Sequence, residues 1–205
     1  ASIDYDNLST DAQAKLLTEK ALLDSLLLEI DGLEIVAAEV AMFKVNNAEA
    51  LALTVETVVI SNKTIVEAAI VAYDMLSVDA QANLVVEKTL LDSLIVEIER
   101  QETIVVEVTT FITNHSIVLA ITTGTVVIGD QAVVDVALAA YDLLSIDAKA
   151  LLTDEKALLD GLLVEIERIE VFYDELLLYL TENSYALSLT LETVEISDKS
   201  YIELA

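Results

Sequence analysis

The chain of 205 residues contains no cysteine, no proline and no tryptophan, and it has only four glycines. Without cysteine it has neither disulfides nor a thiolate for catalysis or metal binding. Proline and glycine are the residues that most often interrupt helices and form tight turns. Their scarcity favours long, uninterrupted helices.

Basic residues are also scarce. Lys and Arg total 10 against 37 Asp and Glu, so the formal net charge is −27. Such a chain repels nucleic acid and anionic membrane surfaces, so we predict neither as a partner and expect non-specific cations to bind instead. At 55% apolar residues it is too hydrophobic to be disordered despite its charge.

One sequence pattern recurs along the whole chain. Tyr5, Tyr73 and Tyr141 stand 68 residues apart, each opening a similar segment, and the alignment continues without gaps. Such periodicity indicates a tandem array. We divide it into repeat 1 at 1–61, which starts in the middle of a helix, repeat 2 at 62–129, repeat 3 at 130–197, and the start of a fourth repeat helix at 198–205.

The copies also settle whether the uncharged stretch from Val108 to Gly129 crosses a membrane, for which it is long enough. The aligned segments carry Lys44, Glu49 and Glu56 in one copy and Glu182, Glu192 and Glu195 in another. Copies of one unit should share one environment. We therefore predict no membrane span.

The pattern predicts an all-α fold: tandem helical-bundle repeats of 68 residues, joined by long helices and short Thr/Val-rich extended connectors. The first helix of a repeat should begin near Ser61–Asn62, where a short polar side chain accepts from free backbone N–H groups. Its apolar stripe is Ile65, Ala69, Ala72, Tyr73 and Leu76.

Ser77 should end that helix and cap a short one through Asp79 to Val85, before a long helix starts near Glu87. In the last copy, apolar residues at alternating steps of three and four predict a coiled-coil-like seam. Its members are Leu159, Leu162, Ile166, Ile169, Tyr173, Leu176, Leu180, Asn183 and Leu187. The connector TVETVVISN and its copies are rich in β-branched residues, and their pairing as strands stays open.

The candidate seam and assembly residues recur at fixed phases of the repeat. They are Tyr73, Tyr141, Phe43, Phe111, Tyr179, Asn47, His115 and Asn183. His115 is the only histidine and aligns with Asn47 and Asn183, so we interpret it as a polar position that fixes helix register. No catalytic, cofactor-binding or metal-binding pattern is found, and we predict no enzyme activity.

The segment DQAVVDVALAAYDLLSIDAKALLTDEKALLDGLLVEI resembles a helical repeat of large secreted surface proteins of Gram-positive-type bacteria, and the resemblance covers essentially every copy. It implies a stalk or spacer module at the cell surface or outside the cell, with no catalytic residues to transfer. We expect a structural, filament-forming repeat protein. The alternatives are an adhesin-like array that presents repeated patches to a protein or matrix ligand, and an engineered scaffold.

Both ends of the chain fall within the first helix of a repeat, so each end carries an incomplete apolar stripe. Three interpretations stay open: a segment of a longer array, a closed ring, or copies that associate head to tail into a fibre. The mean hydropathy of +0.61 is high for a slender array, which favours self-association. Because the chain is acidic, salt or divalent cations should promote it.

Overall fold

The computed structural model describes residues 5–204, and all regular structure in this range is helical. This confirms the all-α class. The first four residues of the predicted half-helix at the amino terminus, and Ala205, lie outside the described residues. The α-helices of six residues or more are α1 (Thr10–Lys15), α2 (Leu17–Asn46), α4 (Lys63–Asp74), α6 (Val85–Asn114), α8 (Gln131–Asp142), α9 (Ile146–Leu151), α10 (Thr153–Glu182) and α12 (Lys199–Leu204). The shorter ones are α3 (Ala48–Leu51), α5 (Val78–Ala82), α7 (Ser116–Leu119) and α11 (Ser184–Ser188).

Three long helices dominate the chain. Helices α2, α6 and α10 have 30 residues each, which makes each about 45 Å long at 1.5 Å per residue. They have an acidic residue in the first turn, such as Glu87 in α6, where it complements the helix dipole. Helix α6 starts at Val85, two residues before the predicted start.

A serine caps the N-terminus of each short helix that precedes a long one. Ser77 lies in extended backbone, and its Oγ accepts from the Ala80 backbone N–H at 3.2 Å. Ser9 and Ser145 make the same contact with Ala12 and Ala148. The predicted caps are confirmed, although α5 ends at Ala82 and not at Val85.

The starts of α4 and α8 were located correctly, but their caps work differently from the prediction. A single 3₁₀ turn, Ile60–Asn62, precedes α4. The Asn62 side chain accepts from the Val59 backbone N–H at 3.0 Å, so it reaches back toward the connector. Asp130 does the same for Val127 at 2.9 Å. These side chains close the turn before the helix.

The Thr/Val-rich connectors contain no strand in residues 5–204, so they do not pair as strands there. Thr54 and Thr57 bracket a turn instead. The Thr54 backbone N–H donates to Thr57 Oγ1 at 3.0 Å, and the Thr57 N–H donates to the Thr54 carbonyl at 3.1 Å. Val59 at the end of the connector is extended, with φ −131° and ψ 162°.

The chain divides into two compact units whose boundary lies between Glu102 and Thr103, within α6. The core of the first unit consists of Phe43, Ala50, Val58, Val66, Ala69, Leu84, Leu91, Leu94 and Ile98. The core of the second unit consists of Phe111, Val118, Val126, Val134, Ala137, Leu152, Leu159, Leu162 and Ile166. Every member of the second set stands 68 residues after a member of the first.

Each core draws on two successive sequence repeats. In the first unit, Phe43 and Val58 precede the predicted repeat boundary at Asn62, whereas Leu91 and Ile98 follow it. The end of one long helix and the beginning of the next therefore enclose α4 between them. Val66, fully buried on α4, was absent from the predicted stripe.

The predicted seam of α10 is buried over only half its length. Leu159, Leu162 and Ile166 are fully buried, whereas Leu176 and Leu180 are 41% and 47% exposed. The prediction of a continuous buried seam is therefore wrong for the second half of α10. In the first unit, Phe43 on the corresponding half of α2 is buried against α4 and the start of α6.

Candidate functional site

Four of the eight candidate residues form two aromatic pairs inside the cores. The rings of Phe43 and Tyr73 meet edge to face at 6.1 Å between centroids, and those of Phe111 and Tyr141 meet at 6.0 Å. Both phenylalanines are 3% exposed. The structure thus places these four residues as core anchors, as the recurring phase had indicated.

The tyrosine hydroxyls of these pairs also donate hydrogen bonds to backbone carbonyls. Tyr73 Oη donates to the Gln81 carbonyl and Tyr141 Oη to the Lys149 carbonyl, both at 3.2 Å. Tyr5 makes the corresponding bond to Gln13 at 3.0 Å. This contact fixes the end of one short helix against the helix before it.

Tyr179 differs from the two phenylalanines with which it aligns. It lies on the second half of α10 and is 46% exposed. It is the member of the aromatic set that presents a ring to solvent.

Asn47, His115 and Asn183 end the three long helices. Asn47 and His115 have φ near −110°, outside the α-helical range. The Asn47 Nδ2 donates to the Phe43 carbonyl at 2.8 Å, and Asn183 does the same to Tyr179 at 2.9 Å. Their amides therefore act within their own helix, which corrects the prediction of a contact that fixes register between helices.

His115 lacks the side-chain bond of the two asparagines and packs its ring on Phe111 at 4.9 Å between centroids. Among residues 5–204 no group of three or more His, Asp or Glu side chains is placed to hold a metal ion. His115 is thus part of the helix end, next to the core of the second unit.

Sequence reasoning missed a polar contact that recurs in both units. The carboxylate of Glu39, late in α2, accepts from the backbone N–H of Ser77 at 3.3 Å and from its hydroxyl. Glu107 makes the same two contacts with Ser145. The signal was present, because an acid recurs at 39, 107 and 175 and a serine at 9, 77 and 145.

Two ion pairs within the first unit join α4 and α2 to α6. Lys63 at the start of α4 lies 2.7 Å from Glu102, and Lys44 late in α2 lies 2.7 Å from Glu87. The hydrogen bond that Lys63 donates to Glu102 raises the pKa of Lys63, and the one that Glu87 accepts from Lys44 lowers the pKa of Glu87. These pairs are partly exposed, so each contributes modestly to stability.

Among residues 5–204, two sets of apolar residues align with core residues and are partly exposed. We call the first the N-terminal face; its members Leu16, Leu23, Leu26 and Ile30 align with Leu84, Leu91, Leu94 and Ile98. We call the second the C-terminal face; its members Tyr179, Ala186, Val194 and Ile202 align with Phe43, Ala50, Val58 and Val66. Six of these eight residues are 37–50% exposed, and Leu23 and Ala186 are half-buried.

A tyrosine network lies beside the C-terminal face; the first unit has Glu49 and Ile65 at the aligned positions. The Tyr185 hydroxyl donates to Asp198 Oδ1 at 2.7 Å, and its ring meets that of Tyr201 at 5.0 Å. This hydrogen bond raises the pKa of Tyr185 and lowers that of Asp198, which is 5% exposed. The network holds α12 against α11 beside the exposed apolar residues.

Two surface grooves, one in each unit, are mainly apolar. One of about 470 Å³ in the second unit is lined by Val127, Ile128, Gly129, Ile169 and Tyr173. One of about 520 Å³ in the first is lined by Leu33, Val36, Ala37, Val40, Ala41, Lys44 and Asn83. Such walls suit apolar contact. No helix of residues 5–204 is long and apolar enough to cross a membrane.

In comparisons with known proteins, no family model, no curated protein and no solved structure matches this chain.

Proposed function

We propose that the chain is a self-associating structural repeat protein, a unit of an extracellular stalk, fibre or surface assembly. The observation that supports this most is the recurrence of one nine-residue core in both units, at the same phases of the sequence. A catalytic domain needs one differentiated site, whereas a structural array needs identical joints. Four of the candidate residues, Phe43, Tyr73, Phe111 and Tyr141, belong to these cores or pack against them.

Each core is suited to such a role because it joins parts that are distant in sequence. Phe43 comes from the end of one long helix and Ile98 from the next. The Glu39–Ser77 contact adds a polar link across the same joint. In repeat proteins, stability is approximately the sum of such nearest-neighbour terms. Adding repeats therefore adds length without a new kind of contact.

The net charge of −27 sets the conditions for assembly. Exposed acidic side chains of neighbouring molecules repel one another, and the Debye length falls from about 10 Å at 0.1 M salt to about 3 Å at 1 M. Association should therefore strengthen with salt or with non-specific divalent cations. An extracellular location agrees with the resemblance to bacterial surface repeats.

Stretching single molecules tests the repeat architecture. We expect two unfolding steps of nearly equal size, because the compact units Ala1–Glu102 and Thr103–Ala205 are almost equal in length, so each step releases about 340 Å of chain at ~3.3 Å per residue. Leu94→Ala and Leu162→Ala change the same phase in the two units. Each should lower the force of one step and leave the other. A single step, or steps of unequal length, would contradict the proposal.

A further inference from the structure

We infer that the C-terminal face of one copy docks on the N-terminal face of a second copy, and that together they form a third core equivalent to the two within the chain. This inference rests on the proposed structural function and names the partner and the contact. The partner is a second copy of this chain because the two faces are the two halves of one known core.

The apolar residues of the two faces complement each other position by position. On the N-terminal face all four match in type the residues they align with in the first core: three leucines, then Ile30 for Ile98. On the C-terminal face Ala186 and Val194 match Ala50 and Val58, while Tyr179 stands for Phe43 and Ile202 for Val66. The substitutions keep an aromatic ring and a β-branched side chain.

The polar residues at the rims of the faces are also complementary. Glu175 lies on the exposed second half of α10 and aligns with Glu107 in the repeat pattern. Ser9, which caps α1, aligns with Ser145. Docking of two copies would bring Glu175 of one to Ser9 of the other, as Glu107 meets Ser145 within the second unit.

An ion pair and an aromatic pair follow from the same alignment. Lys199 stands at the phase of Lys63, and Glu34 at that of Glu102, which lie 2.7 Å apart in the first unit. Within its own chain Lys199 lies 3.5 Å from Glu203, and both side chains are largely exposed. Likewise, Tyr179 of one copy would meet Tyr5 of the next, as Phe43 meets Tyr73.

The contact is heterologous, because it joins two different faces: the C-terminal face of one copy and the N-terminal face of another. A heterologous contact leaves one free face at either end of the complex, so it continues into a chain of copies unless it closes. The tyrosine network at Asp198 supports docking, since it holds α12 in place before the partner arrives.

The test is sedimentation velocity of the full chain at about 0.1 M and about 1 M salt. We expect complexes of increasing size with protein concentration, larger at high salt. Leu26→Asp on the N-terminal face and Ile202→Asp on the C-terminal face should each weaken association by about tenfold or more, since a buried unpaired carboxylate is costly. Leu28→Asp, at a position 74% exposed on the same helix as Leu26, is the matched control and should leave association unchanged.

Mixing the two variants separates this contact from lateral association. The Leu26→Asp chain keeps an intact C-terminal face and the Ile202→Asp chain an intact N-terminal face, so the mixture should form a one-to-one dimer and nothing larger. Because both positions are half-exposed in the single chain, circular dichroism should show unchanged helix content.

Three results would overturn the inference. They are a monomer at both salt concentrations, association unaffected by both face variants, and variants that fail to dimerise when mixed. If the two equal unfolding steps are still observed, the proposed structural function stands and only the contact is wrong. If the steps are absent, the function itself fails.

Discussion

The two halves of α10 have the same kind of sequence and opposite environments. Leu159, Leu162 and Ile166 in the first half are fully buried, whereas Leu176 and Leu180 in the second half are 41% and 47% exposed. Both halves follow the same steps of three and four residues. The difference shows that periodicity marks which face of a helix is apolar, while burial requires a neighbouring element.

The comparison is sharpest at Leu159 and Leu176, and here we expect the largest effect. Leu159→Ala leaves a cavity in the core of the second unit and should lower the free energy of unfolding by about 2–5 kcal/mol. Leu176→Ala removes an exposed side chain and should cost about 0.5 kcal/mol or less. Urea unfolding followed by circular dichroism measures both. Equal losses would show that the second half of α10 is covered in solution.

The serine caps extend the comparison to polar groups, with a smaller expected effect. Ser145 caps α9 and also contacts Glu107, whereas Ser9 has the cap bond to Ala12. Ser145→Ala should cost about 1–2 kcal/mol and Ser9→Ala about 0.5–1 kcal/mol, because only the first also leaves a carboxylate without its donors. Thermal unfolding of the two variants at equal concentration tests the order. A larger loss for Ser9→Ala would contradict it.

The smallest expected effect concerns pH and the C-terminal face. The hydrogen bond from Tyr185 lowers the pKa of Asp198 below its ordinary value of 3.8. A lowered pKa in the folded state means that the stabilisation is present above the ordinary value and is lost as pH falls through the lowered one. Acid should therefore loosen α12 before the cores, and hydrogen exchange of the α12 amides measures this.

Tyr185→Phe is the control for that pH dependence. It keeps the ring contact with Tyr201 and removes the hydroxyl that Asp198 accepts from. In this variant α12 should exchange faster at neutral pH and respond less to acid. Unchanged exchange would show that the hydrogen bond does not hold α12.

Much of the local structure could be predicted from single residues. Ser77 fixed the end of one helix and the start of another, because its side chain satisfies a backbone N–H that the helix leaves free. The aromatic pairs were anticipated as core anchors from their recurring phase. The caps of α4 and α8 were predicted in the wrong direction, since Asn62 and Asp130 accept equally well from the N–H before them.

The connectors show why propensity was insufficient. Their Thr and Val content is typical of strands, but a strand is stable only beside another strand. Residues 5–204 contain no strand to pair with. Instead, the Thr57 hydroxyl accepts from the Thr54 backbone N–H and bonds with the Thr54 hydroxyl, which closes a turn. The Glu39–Ser77 contact was missed for a related reason, since a recurring surface acid does not reveal its partner.

By itself, the sequence determined the helical class, the 68-residue period and the face of each helix that is apolar, since these depend on neighbours within a few residues along the chain. Only the tertiary structure decided that each core spans a predicted repeat boundary, and that Leu26 is 50% exposed whereas the aligned Leu94 is fully buried. Burial depends on which distant segment lies opposite, and a periodic pattern is the same whether or not that segment is there.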